Sequence, residues 1–157
     1  KNDFSHLHLA KQIKEHSFYR AYQAVVYGNI KEDKGTVNEP IGRNPKDRKK
    51  MAVVYNNSRN AITHYEVIER FGSFTHIKCI LETGRTHQIR VHMASISHPL
   101  LGDNVYCNAR CPFELEGQTL HAGVLGFIHP RTGKYMEFSA PLPEYFEKIL
   151  DILRNRK

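Results

Sequence analysis

Two β-type runs that meet at a glycine in mid-chain constrain the fold more than any other feature. Ala61 to Phe71 and Phe74 to Glu82 flank Gly72-Ser73, and this arrangement predicts an antiparallel hairpin. In the second run Thr75, Ile77, Cys79 and Leu81 fall on one face by period-two alternation. Phe18 to Tyr27, rich in aromatic and β-branched residues and ended by Gly28, predicts another strand. Leu120 to Ile128 and Lys134 to Ser139 predict a second hairpin around Pro130-Arg131-Thr132-Gly133. Shorter strands are expected at Thr36–Ile41, after the turn Asp33-Lys34-Gly35, and at Met51–Tyr55.

Three segments carry helical spacing instead. Asp3 can cap a helix running to about His16, with Phe4, Leu7 and Ile13 on one side. Thr86 to about Ser97 places Ile89, Met93 and Ile96 at i, i+4 and i+7, and Pro99 and Gly102 end it. The C-terminal helix aligns Phe146, Ile149, Leu150 and Leu153. Val105 to Gly117 reads as irregular. No repeat, linker or low-complexity tract divides the chain. The expected fold is therefore one α+β domain over residues 1–157, a mainly antiparallel mixed sheet with flanking helices, and 157 residues can bury its core.

No apolar run approaches a membrane span, and no signal peptide is visible. The chain begins with Lys1 rather than Met, which reads as a piece of a longer protein. Its cysteines are Cys79, Cys107 and Cys111; an odd count argues against a disulfide framework and fits a reducing cytoplasm. The formal net charge is +7, with a pI near 9.4, which favours a polyanionic partner over an acidic one. Five of the cations, Arg43, Lys46, Arg48, Lys49 and Lys50, crowd into the loop expected at Gly42–Lys50. Phosphate contacts need such flexible cations and little geometry. The same run would equally serve as a solvated loop.

The densest polar cluster runs from Glu82 to His92. A strand feeds a glycine break and then a helix, so Arg85 and His87 sit at a helix N-terminus suited to an anion. Arg90 lies off the apolar stripe and can hold a carboxylate in a bidentate pair. On pattern alone the junction reads as readily as a capped helix with solvated arginines. On the first strand Arg20, Tyr22 and Ala24 share a face, where Tyr22 can stack on a base or simply pack. Ten histidines invite a metal reading, but His87 and His92 are five apart, no H-E-x-x-H occurs, and Cys107 and Cys111 lack a second cysteine pair. A zinc site with His98 or His121 ranks well below a metal-free protein. No G-x-S-x-G marks a hydrolase.

The stretch ETGRTHQIRVHMASISHPLLGDNVY, Glu82 to Tyr106, resembles the signature of RluA-type pseudouridine synthases. Arg20-Ala-Tyr-Gln-Ala24 is similar to the family's K/R-x-Y-x-A segment. The DKGT, PIGR and KDRKKMAVV stretches between Asp33 and Val54 resemble the RluD-like branch, which acts on large-subunit ribosomal RNA. Leu120-His-Ala, Gly126-Phe-Ile-His-Pro and Met136-Glu-Phe-Ser-Ala-Pro are similar as well, so the likeness spans nearly the whole chain. It implies an enzyme that detaches uracil from its ribose in RNA and rejoins it through C5, with no cofactor. The chemistry turns on an aspartate in an H-R-L-D segment followed by T-S-G.

This sequence contains no H-R-L-D, and Asp3, Asp33, Asp47, Asp103 and Asp151 do not match it. The expectation is a C-terminal portion of the catalytic domain, inactive alone, with Arg90 left as an unpaired cation. The alternative is a non-catalytic RNA-binding domain derived from the family. By resemblance, Tyr22 is the tyrosine that stacks on the target base and takes part in proton transfer. Arg90 is the partner of the catalytic aspartate, Arg85, His87 and Gln88 shape the same cleft, and Leu125 lies under the base. Many relatives also carry an N-terminal S4-type RNA-binding domain.

Overall fold

The computed structural model describes residue 7 and residues 18–156. Apart from Leu7, the helix expected over Asp3–His16 lies outside the described residues. Six strands form one sheet in the order β2 (Lys34–Asn38), β6 (Ile62–Arg70), β7 (Phe74–Leu81), β1 (Tyr19–Tyr27), β8 (Leu120–Ile128) and β9 (Tyr135–Ser139). Every pairing in it is antiparallel. A second, small antiparallel sheet joins β3 (Ile41–Arg43), β4 (Met51–Val53) and β5 (Ser58–Arg59).

Both faces of the large sheet are covered, so β1 and β7 read as nearly continuous apolar runs. Ala24 and Val26 of β1 and Ile77, Cys79 and Leu81 of β7 form one cluster with Ile89 and Met93 of helix α1 (Gln88–Ser95). On the opposite face Val25 and Phe74 pack against Phe146, Ile149, Leu150 and Leu153 of helix α2 (Glu144–Asn155). These are the stripes that the periodicity predicts. Beyond Ala24, where the pairing with β8 stops at Leu120, residues 99–101 take over the edge of β1 through Tyr27 N–H to Pro99 O (2.9 Å) and Leu101 N–H to Val25 O (2.8 Å).

Two local expectations are corrected. The strand expected over Thr36–Ile41 divides: Pro40, which cannot donate to a ladder, separates β2 from β3, and the chain changes sheets there. Gly42 and Arg43 consequently belong to a strand, and the loop runs from Asn44 to Lys50. The helix expected from Thr86 starts two residues later, because His87 adopts φ 56°, ψ 25° and is the non-helical cap of α1.

Candidate active site

The junction between β7 and α1 is wired by a buried polar chain. Thr83 Oγ1 accepts the Ile62 N–H (3.0 Å) and donates to Gln88 Oε1 (2.7 Å), which also accepts the Arg85 N–H (2.9 Å). Gln88 Nε2 donates to Ile62 O (3.0 Å) and Thr63 Oγ1 (2.9 Å). Thr63 then donates to His92 Nδ1 (2.8 Å), and His92 Nε2–H donates to Glu39 O (2.8 Å). Each group has one role left once its neighbour's is fixed, so this chain sets the His92 tautomer. Burial holds the His92 pKa below the ordinary histidine value, and the imidazole is neutral. Gln88 is buried with its amide committed on both ends, so within this chain it positions the loop. His92, not singled out for a role by the sequence, shares this task one helical turn on.

Arg90 projects the other way. Its Nε and Nη2 donate to Asp103 Oδ2 (2.8 Å) and Oδ1 (3.0 Å), and both residues are buried. The expected unpaired cation is therefore corrected: a carboxylate of this chain already meets it. Asp103 Oδ1 also accepts the Val105 (2.9 Å) and Tyr106 (3.0 Å) N–H groups. Burial pushes the Asp103 carboxyl up, but these donors together with Arg90 more than reverse that and leave it below the usual carboxylate range. The Asp103 hydrogen bond raises Arg90 further above its ordinary value. The guanidinium stacks on the Tyr106 ring, 5.0 Å from its centroid. His87, at the exposed start of the helix, pairs its Nδ1 with the Tyr106 hydroxyl at 2.7 Å.

Tyr22, Arg20 and Leu125 come together. They line one cavity of about 370 Å³ with Ala122, Gly123, Val124, Phe138, Ser139 and Ala140. A register shift between Ala21 and Tyr22 against β8 opens the sheet here, as bulges do beside sites. Leu125 and Phe138 are exposed on its wall, at 38% and 50%. Arg20 lies over the Phe18 ring (5.7 Å) and reaches the β7–α1 loop. A Cβ on Gly84 would fall 2.1 Å from Arg20 Nη1, so any other residue there would push the guanidinium aside. Burial lowers the Arg20 pKa, and Arg85 nearby lowers it further, against an opposing contribution from Tyr22. Arg20 Nε is buried without a hydrogen-bond partner among the described residues. Arg90 does not line this cavity.

The basic loop holds its shape by its own bonds. Asn44 N–H to Lys50 O (2.9 Å) closes it, Asn44 Oδ1 accepts the Lys46 N–H (2.9 Å), and Asp47 Oδ1 accepts the Lys49 N–H (3.2 Å). Arg43, Lys46, Arg48 and Lys49 stay exposed, and Lys50 half so. Arg43 and Arg85 then line a groove of about 480 Å³ with Arg59, Ser58 and Thr86. Arg85 is anchored there by Nε–H to Asn60 O (2.8 Å). The sequence reading missed Arg59, Asp103 and Tyr106. Arg59 is a lone cation in the two-residue strand β5, and nothing periodic links Arg90 to a carboxylate thirteen residues on.

The chain is similar to known proteins in sequence and in fold. The family model described as RNA pseudouridylate synthase matches residues 1–95. An uncharacterised RNA pseudouridine synthase of Bacillus subtilis is 53% identical over 154 residues, covering 98% of this chain and 50% of that protein. The ribosomal large subunit pseudouridine synthase D of Nitrosomonas europaea is 44% identical over 154 residues, covering 94% of this chain and 44% of its own. The chain thus spans about half the length of the curated relatives it matches. Among solved structures, human RNA pseudouridylate synthase domain containing 1 superposes with a TM-score of 0.76 at 24% identity, over 99% of this chain and 73% of that one, a likeness of fold. By the family model and these relatives, the chain belongs to the RNA pseudouridylate synthase family.

Proposed function

We propose that the protein containing this chain converts uridine to pseudouridine in large-subunit ribosomal RNA, in the cytoplasm and without a cofactor. The observation that carries this reading is the single cavity shared by Arg20, Tyr22 and Leu125. Its volume falls in the ~300–1,000 Å³ range of small-molecule pockets. A uridine must leave its stack to enter, at a cost of a few kcal/mol that stacking on an aromatic offsets. In this reading Tyr22 and Leu125 hold the base between them, and the Tyr22 hydroxyl handles a proton at the uracil ring. Arg43, Lys46, Arg48, Lys49, Lys50, Arg59, Arg85 and His87 hold phosphates along the loop and groove. An S4-type domain in the full-length protein would add to that grip.

The family's aspartate stands in an H-R-L-D segment that these 157 residues do not contain. Asp103 engages Arg90 through Nε and Nη2. The Nη1 donors then remain for a second carboxylate, since a guanidinium offers five N–H groups. Asp103 in this reading orients the guanidinium, and the incoming aspartate reacts. The test is incubation of the full-length protein with unmodified large-subunit RNA and detection of pseudouridine by carbodiimide adducts. Turnover is expected, and Tyr22→Phe, which keeps the ring and removes the hydroxyl, should abolish or strongly depress it while RNA affinity stays within a few fold. Absence of pseudouridine with the wild type would refute the reading.

A further inference from the structure

Tyr106 touches four groups that belong to different parts of the site. Its hydroxyl accepts the Met51 N–H (3.0 Å), and Met51 is the first residue of β4, where the basic loop returns to the small sheet. The same hydroxyl bonds His87 Nδ1 (2.7 Å), at the cap of α1. Its ring carries the Arg90 guanidinium on its face and the His87 ring at its edge, with centroids 5.5 Å apart. Its backbone N–H donates to Asp103 Oδ1, the oxygen that also accepts Arg90 Nη2. The ring packs on the cluster of Ile41, Ala61 and Val91, which joins β3 to α1.

The Tyr106 hydroxyl bridges the two neighbours. Met51 N–H can only donate, so the tyrosine oxygen accepts it, and the hydroxyl bonds His87 Nδ1 on its other side. A tyrosine has two side-chain torsions and little freedom once its ring is packed and its hydroxyl is bonded on both sides. A shift of the loop's return strand therefore has no slack before it reaches the guanidinium and its carboxylate.

We infer that Tyr106 is a positioning residue that couples the grip of the basic 44–50 loop on RNA phosphates to the orientation of the Arg90 guanidinium. The inference rests on the pseudouridine synthase reading and goes beyond it, since it assigns the loop a role in rate as well as in affinity. Tyr106→Phe tests it, because the variant keeps the ring over Arg90 and removes only the relay. Single-turnover rates at saturating large-subunit RNA would be measured for the full-length wild type, Tyr106→Phe, the variant with Arg43, Lys46, Arg48, Lys49 and Lys50 all changed to Ala, and the combination.

Tyr106→Phe is expected to slow the reaction roughly tenfold with thermal stability nearly unchanged. The loop variant is expected to slow it by a factor at least fivefold smaller in the Tyr106→Phe background than in wild type. A merely structural tyrosine would give independent effects that multiply, as uncoupled sites do. Multiplicative effects within about twofold, or Tyr106→Phe at the wild-type rate, would overturn the inference. If the wild type itself made no pseudouridine, the reaction would be refuted, and the same cycle would be read as RNA affinity. There, Tyr106→Phe must reduce the loop's contribution to binding, and independent effects would overturn the coupling as well.

Discussion

Arg90→Ala should cost far more stability than a surface arginine would. Asp103 is 3% exposed and meets Arg90 through two short hydrogen bonds, 2.8 and 3.0 Å. Removing one partner of a buried pair costs about 3–5 kcal/mol, mostly for the charge left behind. Here Asp103 keeps the N–H groups of Val105 and Tyr106, which places the expected cost near the lower limit, about 3 kcal/mol. For a chain of this size that corresponds to a melting shift of roughly 6–12 °C.

The signature that separates a stranded carboxylate from weakened packing is pH. In the wild type the Asp103 pKa is lowered, so its contribution is full above the unfolded value of about 3.9 and fades as pH falls through the lower folded value. In Arg90→Ala burial dominates and raises that pKa, so protonation relieves the folded state. The deficit of Arg90→Ala should therefore shrink as pH falls from about 7 to about 4. Adding Asp103→Ala should make Arg90→Ala no worse. Urea unfolding at several pH values measures all of this. A loss under about 1 kcal/mol, or two single losses that simply add, would refute the buried-pair argument.

Three further outcomes are expected. The 157-residue chain alone should make no pseudouridine, because it lacks the H-R-L-D aspartate; carbodiimide detection above background would show that another group suffices. Changing Arg43 and the four loop cations Lys46, Arg48, Lys49 and Lys50 to Ala should flatten log affinity against log salt in filter binding, by about 0.7–0.9 for each phosphate no longer neutralised; an unchanged slope would make the loop a solvated bystander. His76, pushed down to about 4 by burial and bonded to Gln23 through Nε2 (2.7 Å), favours the neutral ring in the folded state. Stability should therefore fall between pH 6.5 and 4, by about 2 kcal/mol after allowance for partial solvent screening. His76→Gln should remove that part of the acid loss in urea unfolding; an unchanged acid limb would refute it.

The strands were legible because they are long and bounded. Leu120–Ile128 lies between Thr119 and a Pro-Arg-Thr-Gly turn, and it is found at those limits. Errors fell where one residue overrides a run: Pro40 splits a strand, and His87, an ordinary helix residue by composition, sits in the left-handed region. Tyr22, Arg20 and Leu125 were each picked out in the sequence, Leu125 only through family resemblance. That a bulge would gather them around one cavity was not readable, because cross-strand register is a property of pairs. Asp103 was legible as a residue and illegible as a partner, since the turn that brings it to Arg90 has no period.

In the proposed function, the residues from Glu82 to His92 would serve both fold and chemistry. Gln88 and His92, four apart, face β6 and satisfy its backbone and Thr63, while Arg90 between them faces Asp103 and Tyr106. A helix of eight residues is marginal by itself in water. It needs anchors on several sides if a charged group on it is to hold within the fraction of an ångström that catalysis requires. The polar chain supplies one anchor, the Ile89–Met93 contact with the sheet a second, and the Asp103–Tyr106 turn a third. Glutamine is suited to the first because it both donates and accepts; Gln88→Glu would lose the donors to Ile62 O and Thr63 and bury a charge. The rigidity of Arg90 is thus set by residues that do not line the Tyr22 cavity, and under the proposed function substitutions at Gln88, Thr63 or Thr83 should act on turnover through the placement of α1.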